Sequence, residues 1–498
     1  MVYSQEIASF MDQPDVITHV ALVKPKQGLF IDEITSLLVI CTPISVLLIG
    51  VAHENQVGVD GRSRKDIKLY ATDLTISTEI EMSSVVGTSE GRIFMCGQQD
   101  GNLYEFHYQA KESWFGKRVQ LVNHSVGGVQ SLLPRFAASG TEGETIFSAL
   151  IYVDIHASFF QERIVSIVSD KKRNCFYTLT SRNAISVYTP AGDKAIQHIQ
   201  TLSSLYKTAQ EKAPGSPALT PQSFQIVNIH VVDPSESRAG IQLIALTTNG
   251  VRLYFAPSIG YGYSFNSNSA TTSSLRPLQI VHVRLPPLNL IHPDEQAKLY
   301  RPTSSTYGGP SIHPQPTSRP YICSSLDDSC YADGLTVATQ PGDVDGTDYT
   351  LCLAPDLTRI GNIGQLNLPQ QPQQSPFGSN YNQYNNPGVT NRPPLTEYAT
   401  LITIPGRTWA MASITKKPIE TPAGTPMPST INELASEFSE FPNQFMLLTN
   451  VGLTFLMKRR AVDYLKAVLE ELQSEGNVQP IIEFRDRQVL YPSLTTSH

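Results

Sequence analysis

The sequence lacks most of the features that mark exported, membrane-spanning or metal-binding proteins. Its six cysteines include no CxxC pair, which indicates a reducing compartment and no common zinc motif. Residues 1–13 have neither the basic start nor the apolar run of a signal peptide. The longest apolar run, Leu37 to Val51, is shorter than the roughly 20 residues of a membrane span and contains Pro43. We therefore predict two buried strands on either side of this proline.

Positive charge is also scarce, and little of it is clustered. The formal net charge is −7, whereas binding to nucleic acid requires a concentrated basic surface. The two compact basic runs, Lys171 to Arg173 and Lys458 to Arg460, each lie beside a predicted strand. We interpret both as solvated turns rather than as localisation or phosphate-binding sites, and we expect no direct contact with nucleic acid.

Catalytic signatures are missing as well. The chain has no GxSxG elbow, P-loop, HExxH or GxGxxG motif. The acidic turn from Asp343 to Asp348 lacks the spacing and the final glutamate of an EF-hand loop, so we interpret it as a solvated Gly-rich turn. Asp327, Asp328 and Asp333 are expected to be solvated on a polar loop. The sequence therefore predicts no catalytic residue, no cofactor and no metal site.

What the sequence does contain is a recurring hairpin unit. In Gly91 to Phe106, two β-favouring runs flank the turn Asp100-Gly101. The unit returns in Ile241 to Phe255, with Asn249-Gly250 at the turn, and again in Gln444 to Met457. Gly, Asn and Asp tolerate the positive φ of tight hairpin turns. Each unit thus predicts a pair of antiparallel strands.

Repeated hairpins predict an all-β fold, because a single hairpin cannot bury both of its faces. Radial stacking of four-stranded sheets solves this problem and leaves only short strand edges, so we predict a β-propeller over residues 1–458. Long segments rich in Pro, Ser, Asn and Gln interrupt it. Such segments bury too little apolar surface to order themselves, and they lie near 256–276, 293–320, 357–394 and 416–430.

The hydrophobic period changes after the last hairpin. Apolar residues now recur at helical spacing and share one helix face. Gly476 provides a stop signal. We predict that residues 459–498 start an α-helical region. The residues on the apolar face are Val462, Leu465, Val468, Leu469 and Leu472.

Several longer strings resemble one known family, the large non-repetitive scaffold nucleoporins of the inner ring of the nuclear pore. The resemblance runs in order from Val20 to about Leu465. Its family pattern implies a propeller of about seven blades followed by an α-solenoid. This chain starts inside the first blade of the pattern, so an incomplete first blade is one expectation. The strings that carry the resemblance are Val20 to Phe30, Leu37 to Leu48, Gly91 to Ser125, Gly250 to Phe255 and Val281 to Pro287.

The resemblance also implies a loop that senses curved membrane, here at Ala256 to Arg276. A Ser- and Gly-rich segment with few charges can fold as an amphipathic helix on lipid. The alternative is a loop whose aromatic residues pack on a neighbouring blade, and Gly260 and Gly262 disfavour a helix. The candidate membrane-contact residues are Ile259, Tyr261, Tyr263, Phe265 and Leu275.

Partner binding is the second implied function. The family is implied to bind short segments of linker nucleoporins and to dock other scaffold subunits at the nuclear envelope. Grooves between blades and exposed strand edges suit an extended peptide. Trp114 and Phe115 are candidate partner contacts, with a buried contact between blades as the alternative reading.

The sequence thus favours a non-enzymatic scaffold that supports nucleocytoplasmic transport of protein and mRNA, peripheral to the pore membrane. Two alternatives stay open. One is a propeller enzyme that uses loop carboxylates at its central channel. The other is a vesicle-coat propeller, which shares the architecture and differs in its membrane.

Overall fold

The computed structural model describes 25 strands and one eight-residue helix, α1 (Leu205–Lys212). The described residues are 15–57, 63–109, 118–125, 162–192, 195–237, 240–258, 275–287, 290–295, 320–355, 397–414, 442–458, and the single positions 463, 466, 469 and 470. The chain divides into two compact units. The first comprises Met1–Leu205 and Ala270–Pro277, and the second comprises Tyr206–Ser269 and Leu278–His498.

The described strands of the first unit form three four-stranded antiparallel sheets. The first sheet contains β1 (His19–Val23), β2 (Ile34–Cys41), β3 (Ser45–Val57) and β4 (Ser63–Ser77). The second contains β5 (Met82–Gly87), β6 (Ile93–Gly97), β7 (Leu103–Tyr108) and β8 (Val119–Asn123). The third contains β9 (Ile164–Asp170), β10 (Cys175–Thr180), β11 (Ile185–Ala191) and β12 (Ala195–Leu202).

The described strands of the second unit form two four-stranded sheets, one three-stranded sheet and one two-stranded ribbon. The first four-stranded sheet contains β13 (Ile226–Val231), β14 (Leu243–Thr247), β15 (Arg252–Pro257) and β16 (Leu278–Arg284). The second contains β19 (Asp328–Ala332), β20 (Leu335–Pro341), β21 (Thr347–Pro355) and β22 (Glu397–Pro405). The three-stranded sheet is β23 (Thr408–Ile414), β24 (Gln444–Thr449), β25 (Gly452–Met457), and the ribbon is β17 (Leu290–Ile291), β18 (Pro320–Tyr321).

The three sequence-predicted hairpins are present as β6–β7, β14–β15 and β24–β25. Two of their turns require glycine, since Gly101 has φ +65° and Gly250 has φ +86°. At Gly101 a Cβ atom would also collide with Arg163. The two strands predicted around Pro43 are β2 and β3, which pair with each other. Local pattern and turn chemistry were therefore sufficient to locate these elements.

The cores of both units lie between sheets that follow each other along the chain. In the first unit, one apolar cluster joins the first and second sheets, and it includes Leu37 and Met95. Another joins the second and third sheets, where the rings of Phe94 and Phe176 stack with centroids 4.5 Å apart. In the second unit, Val337 packs with strand β24. Face-to-face sheets of this kind are the packing unit of a propeller.

The predicted all-β propeller class is confirmed, with two differences in detail. The described residues form six sheets of three or four strands rather than about seven blades. The expectation of an incomplete first blade is wrong, because β1 to β4 form a full four-stranded sheet. Most of the residues predicted as low-complexity insertions lie outside the described residues.

The helical region after residue 458 is described at four positions only. Asp463, Lys466, Leu469 and Glu470 are helical, and Lys466 pairs with Glu470 at 3.7 Å. The remaining residues of the predicted amphipathic face lie outside the described residues. In the described part of the chain, no helix has the length and apolar character that crossing a membrane requires.

Candidate functional site in the first unit

The structure describes only one of the residues that the sequence singled out for function. Leu275 is half-buried and lies shortly before β16. Ile259, Tyr261, Tyr263 and Phe265 lie outside the described residues. Trp114 and Phe115 also lie outside them, in the connection between β7 and β8. The membrane-contact and partner-contact assignments therefore remain predictions.

A polar cavity of about 410 Å³ lies between the second and third sheets of the first unit. Strands from both sheets contribute to its walls. Its lining contains no lysine or arginine and carries one carboxylate, that of Glu162. The lining residues are Gly101, Asn102, Leu103, His124, Ser125, Glu162, Ile164, Thr178, Thr180, Ala184, Ser186, Tyr188, His198 and Thr201.

A hydrogen-bonded network of hydroxyl groups shapes the wall on the third sheet. The hydroxyls of Ser186 and Thr201 share a hydrogen bond of 2.8 Å. Nε2 of His198 lies 2.8 Å from the same Thr201 hydroxyl. The Thr180 hydroxyl donates to Glu162. The wall is thus fixed by side chains from three strands and presents both donors and acceptors to the cavity.

Behind this cavity lies a buried ion cluster that links the two sheets. Arg92 donates to both carboxylate oxygens of Glu105, each at 2.7 Å. Nε2 of His124 lies 2.8 Å from Glu105 Oε2. Arg92 also donates to the carbonyl oxygens of Gly192, which follows β11, at 3.1 Å and of Ala195, the first residue of β12, at 2.7 Å. The arginine therefore ties the second sheet to the third.

The electrostatics of this cluster keep the carboxylate charged. Burial by itself would raise the pKa of Glu105, but hydrogen bonds from His124 and Arg92, together with the arginine charge, outweigh it and hold that pKa below its ordinary value. A bidentate arginine also fixes the plane of the carboxylate. The cluster is suited to holding two sheets in register rather than to proton transfer.

The second unit contains a comparable buried pair. Nη1 and Nη2 of Arg252 donate to the two carboxylate oxygens of Glu397, each at 2.6 Å, and Arg284 Nε lies 3.4 Å from Glu397 Oε2. Burial would raise the pKa of Glu397, but the charge and hydrogen bonds of Arg252 dominate and lower it. Here β15 is joined to β22, in the next four-stranded sheet.

The interpretation of Asp343 to Asp348 as a solvated turn is correct for Asp343 and Asp345, which are exposed, and wrong for Asp348. Asp348 is buried and accepts hydrogen bonds from Arg407 Nη1 at 2.9 Å and from the backbone N–H of Thr408 at 2.7 Å. Asp343 Oδ2 lies 3.0 Å from His292 Nε2. The carboxylates of Asp343 and Asp348 thus contact protein groups.

The expectation of solvated carboxylates agrees with the exposure of Asp327 and Asp333 and is wrong for Asp328, which is half-buried. Asp328 begins β19 and accepts a hydrogen bond from Asn228 at 3.3 Å, and burial raises the pKa of its carboxyl group. Burial also raises the pKa of Glu236 to about 7, and the Tyr331 hydroxyl donates to it at 2.6 Å. The described residues contain no group of three or more His, Cys, Asp or Glu side chains able to hold a metal ion.

Sequence reasoning missed the cavity and its ion cluster. Arg92 and Glu105 lie inside the string Gly91 to Phe106 that defined the hairpin unit, and charged residues in its two apolar runs were the available signal. Glu162 precedes β9 and His198 lies in β12, and neither carried a signal, because only folding places both at the cavity.

Comparison with known proteins is consistent with this architecture. Residues 4–344 match the model of a nucleoporin family described as Nup133 N terminal like. The chain is 27% identical over 495 residues to the probable nucleoporin C890.06 of Schizosaccharomyces pombe, covering 96% of this chain and 33% of that protein. It is 27% identical over 473 residues to nucleoporin NUP170 of Chaetomium thermophilum, covering 92% and 28%.

A third relative is the nuclear pore complex protein Nup154 of Drosophila melanogaster, 29% identical over 315 residues, which are 57% of this chain and 21% of that protein. The chain therefore spans a third or less of the length of these relatives. Among solved structures, the crystal structure of the Nup170 NTD–Nup53 complex of Chaetomium thermophilum matches with a TM-score of 0.63 and 23% identity.

This structural match covers 96% of the present chain and 57% of the other, and at this identity it supports the fold. The family match extends over more than half of the chain and includes both the ion cluster and the cavity. It also confirms the resemblance seen in the sequence. This chain therefore belongs to the nucleoporin family described as Nup133 N terminal like, of which it represents an N-terminal propeller region.

Proposed function

We propose that this chain is a structural part of the inner ring of the nuclear pore complex, where it docks linker and scaffold nucleoporins and contacts the pore membrane. The observation that carries the proposal is the family match over residues 4–344. Family and fold both point to a structural role rather than to catalysis. In the proposed role, the protein supports nucleocytoplasmic transport at the nuclear envelope.

Two features support docking of linker nucleoporins. The related Nup170 domain was solved as a complex with Nup53. The present chain has a polar cavity that opens between two sheets, a type of surface that accepts an extended peptide. Glu162 carries the cavity's one carboxylate, and it favours a partner segment with a basic side chain.

The docking proposal predicts a direct complex with the Nup53 counterpart from the same organism. We expect the two purified proteins to elute together in size-exclusion chromatography and to bind with a Kd of about 10 μM or tighter, which is within reach of a short peptide in a preformed groove. Isothermal titration calorimetry measures the affinity directly.

The matched control is the same linker protein with the order of its residues scrambled, which keeps its composition and charge. We expect this protein not to bind. Absence of binding by the native linker, with the propeller shown to be folded by circular dichroism, would contradict linker docking.

Membrane contact is proposed for the connection between β15 and β16. These two strands pair directly, with Pro257 opposite Leu278, so the two ends of the connection are held beside each other. A connection anchored in this way can present a short apolar segment to lipid without disturbing the sheet. Its sequence has bulky apolar residues among serines, asparagines and glycines, a composition suited to a weak, curvature-dependent contact.

Flotation with liposomes tests this contact. We expect the intact protein to float with small liposomes more than with large ones, because strong curvature exposes acyl chains to bulky side chains. Replacing Ile259, Tyr261, Tyr263 and Phe265 by aspartate should abolish flotation. The fraction of protein in the floated layer is the measured quantity.

A second variant separates apolar insertion from charge. It carries four aspartates in the same connection and keeps every apolar residue. The substituted positions are Asn266, Ser267, Asn268 and Ser269. We expect this variant to retain more flotation than the first. An equal loss of flotation in both variants would assign the effect to charge. Absence of flotation by the intact protein would contradict the proposed membrane contact.

A further inference from the structure

The last sheet of the second unit has three strands, one fewer than each of the five four-stranded sheets. It contains β23, β24 and β25 in that order, so β25 is its final strand. In the described part of the chain, no strand pairs with the outer side of β25. An unpaired strand edge presents a row of backbone hydrogen-bonding groups that can accept another strand.

The register shows which residues of β25 face outward. Hydrogen-bonded and non-hydrogen-bonded pairs alternate along an antiparallel ladder. The backbone N–H of Lys458 donates to the carbonyl of Asn443 at 2.9 Å, which fixes the phase of this alternation. Counting back from that bond, the backbone groups of Leu453, Phe455 and Met457 point away from β24.

The side chains of the same three residues are apolar and exposed. Leu453, Phe455 and Met457 are 52%, 58% and 52% exposed. They share one sheet face with Leu448, which is 44% exposed and lies opposite Leu453. The opposite face is buried, with Phe445 packed in the core against the preceding sheet. The backbone and side chains thus leave the same positions of β25 open.

β25 also lacks the charge or proline that three of the other five final strands carry. Edge strands are often blunted by charged residues or by proline. β4 includes lysine and aspartate, β16 ends with Arg284, and β22 ends at Pro405. The sequence of β25, GLTFLM, has no charge and no proline. An edge of this composition is suited to a partner.

The sequence next to β25 indicates the chemistry of that partner. Lys458, Arg459 and Arg460 follow the strand directly. A strand added antiparallel to β25 would begin beside Lys458, the first residue of this run. Acidic residues at its N-terminal end would therefore be electrostatically complementary.

We propose that β25 is a docking edge for an extended partner segment, which adds antiparallel as the fourth strand of this sheet. The segment carries apolar residues at every second position and acidic residues at its N-terminal end. This inference rests on the proposed docking function and names a surface for it. It is distinct from the polar cavity of the first unit.

A synthetic peptide probes the edge directly. The probe has two aspartates followed by four valine–threonine repeats, with acetylated and amidated ends. We expect saturable binding to the whole chain, and hydrogen exchange followed by mass spectrometry should slow in fragments that cover residues 452–458. A matched peptide with lysines in place of the aspartates should bind at least five-fold more weakly, with the difference reduced by salt.

Substitutions in β25 separate strand addition from apolar contact. F455P removes one outward N–H and leaves the pairing with β24, since proline is tolerated on edge strands. We expect at least a ten-fold loss of affinity for the probe. F455T keeps the N–H and should lose less, while V451T, in the adjacent turn, should bind as the parent does. Circular dichroism checks that each variant is folded.

A version of the probe with N-methylated valines needs no change to the protein. It lacks the N–H groups of one peptide edge, so strand addition predicts lost or much weaker binding. Binding of the parent probe at unchanged affinity to F455P, protection outside residues 452–458, or no binding at 1 mM probe, a concentration far above a useful docking affinity, would each overturn the docking edge. If the native linker still binds in that case, linker docking stands and lies elsewhere.

Discussion

Replacing Glu397 by leucine is expected to lower the free energy of unfolding by about 3–5 kcal/mol. Removing one partner of a buried ion pair leaves an uncompensated charge in a low-dielectric environment. The variant leaves two such charges. Arg252 donates to both carboxylate oxygens of Glu397, and Arg284 Nε lies 3.4 Å from Glu397 Oε2. Urea unfolding at pH 7, followed by circular dichroism and by the fluorescence of the protein's two tryptophans, measures the loss.

The pH dependence of this effect has a definite sign. The folded-state pKa of Glu397 is lowered, so its contribution is fully present above the unfolded-state pKa of about 4.3 and is lost as pH falls through the folded-state value. The difference between the parent and E397L should therefore shrink in acid. In both proteins Arg252 then lacks an anionic partner.

The double variant R252M/E397L is the matched control. Replacing both members of a buried pair by apolar residues costs much less than removing one. We expect the double variant to be more stable than E397L alone, although Arg284 keeps its charge. If the two substitutions instead add their individual losses, the two side chains are not coupled and the ion pair is not what holds β15 to β22.

Replacing Phe94 by alanine is the second large expected effect. Phe94 is fully buried between the second and third sheets, stacks on Phe176 at 4.5 Å, and lies under the guanidinium of Arg92 at 5.1 Å. Truncation removes the stack and leaves a cavity, which typically costs about 3–5 kcal/mol. Urea unfolding again measures the change.

Two substitutions calibrate that measurement. F94L keeps most of the volume and should cost less than half as much as F94A. Alanine at Trp409, which is 67% exposed, should change the free energy of unfolding by about 0.5 kcal/mol or less. A loss for F94A no larger than that for Trp409 would show that the two sheets do not depend on this aromatic contact.

The two units use a similar device to connect neighbouring sheets. In each, a buried arginine at or just before a central strand donates hydrogen bonds to both oxygens of a carboxylate. In the first unit Arg92 reaches carbonyl groups of the next sheet, whereas in the second Glu397 itself comes from another sheet. A buried pair of this type contributes geometric specificity as well as energy, which suits a scaffold that must hold its blades in register.

The sequence alone predicted the family and the positions of the hairpins, because both depend on short runs of neighbouring residues. The turns Asp100-Gly101 and Asn249-Gly250 fixed two hairpins, and Pro43 separated two strands. These signals act over a few residues, so neighbouring positions carry the whole pattern. The strings of the family resemblance are local in the same sense, and the match over residues 4–344 confirmed them.

The functional surfaces depended on contacts between distant parts of the chain. Arg252 and Glu397 are 145 positions apart, and no local pattern pairs them. Glu162 and His198 line the same cavity as His124 only because two sheets pack face to face. The open edge of β25 is a property of the sheet, since its sequence predicts a strand equally well with or without a neighbour. Sequence by itself determined the strands and the family, and tertiary packing decided which side chains are buried together and which edge is left open.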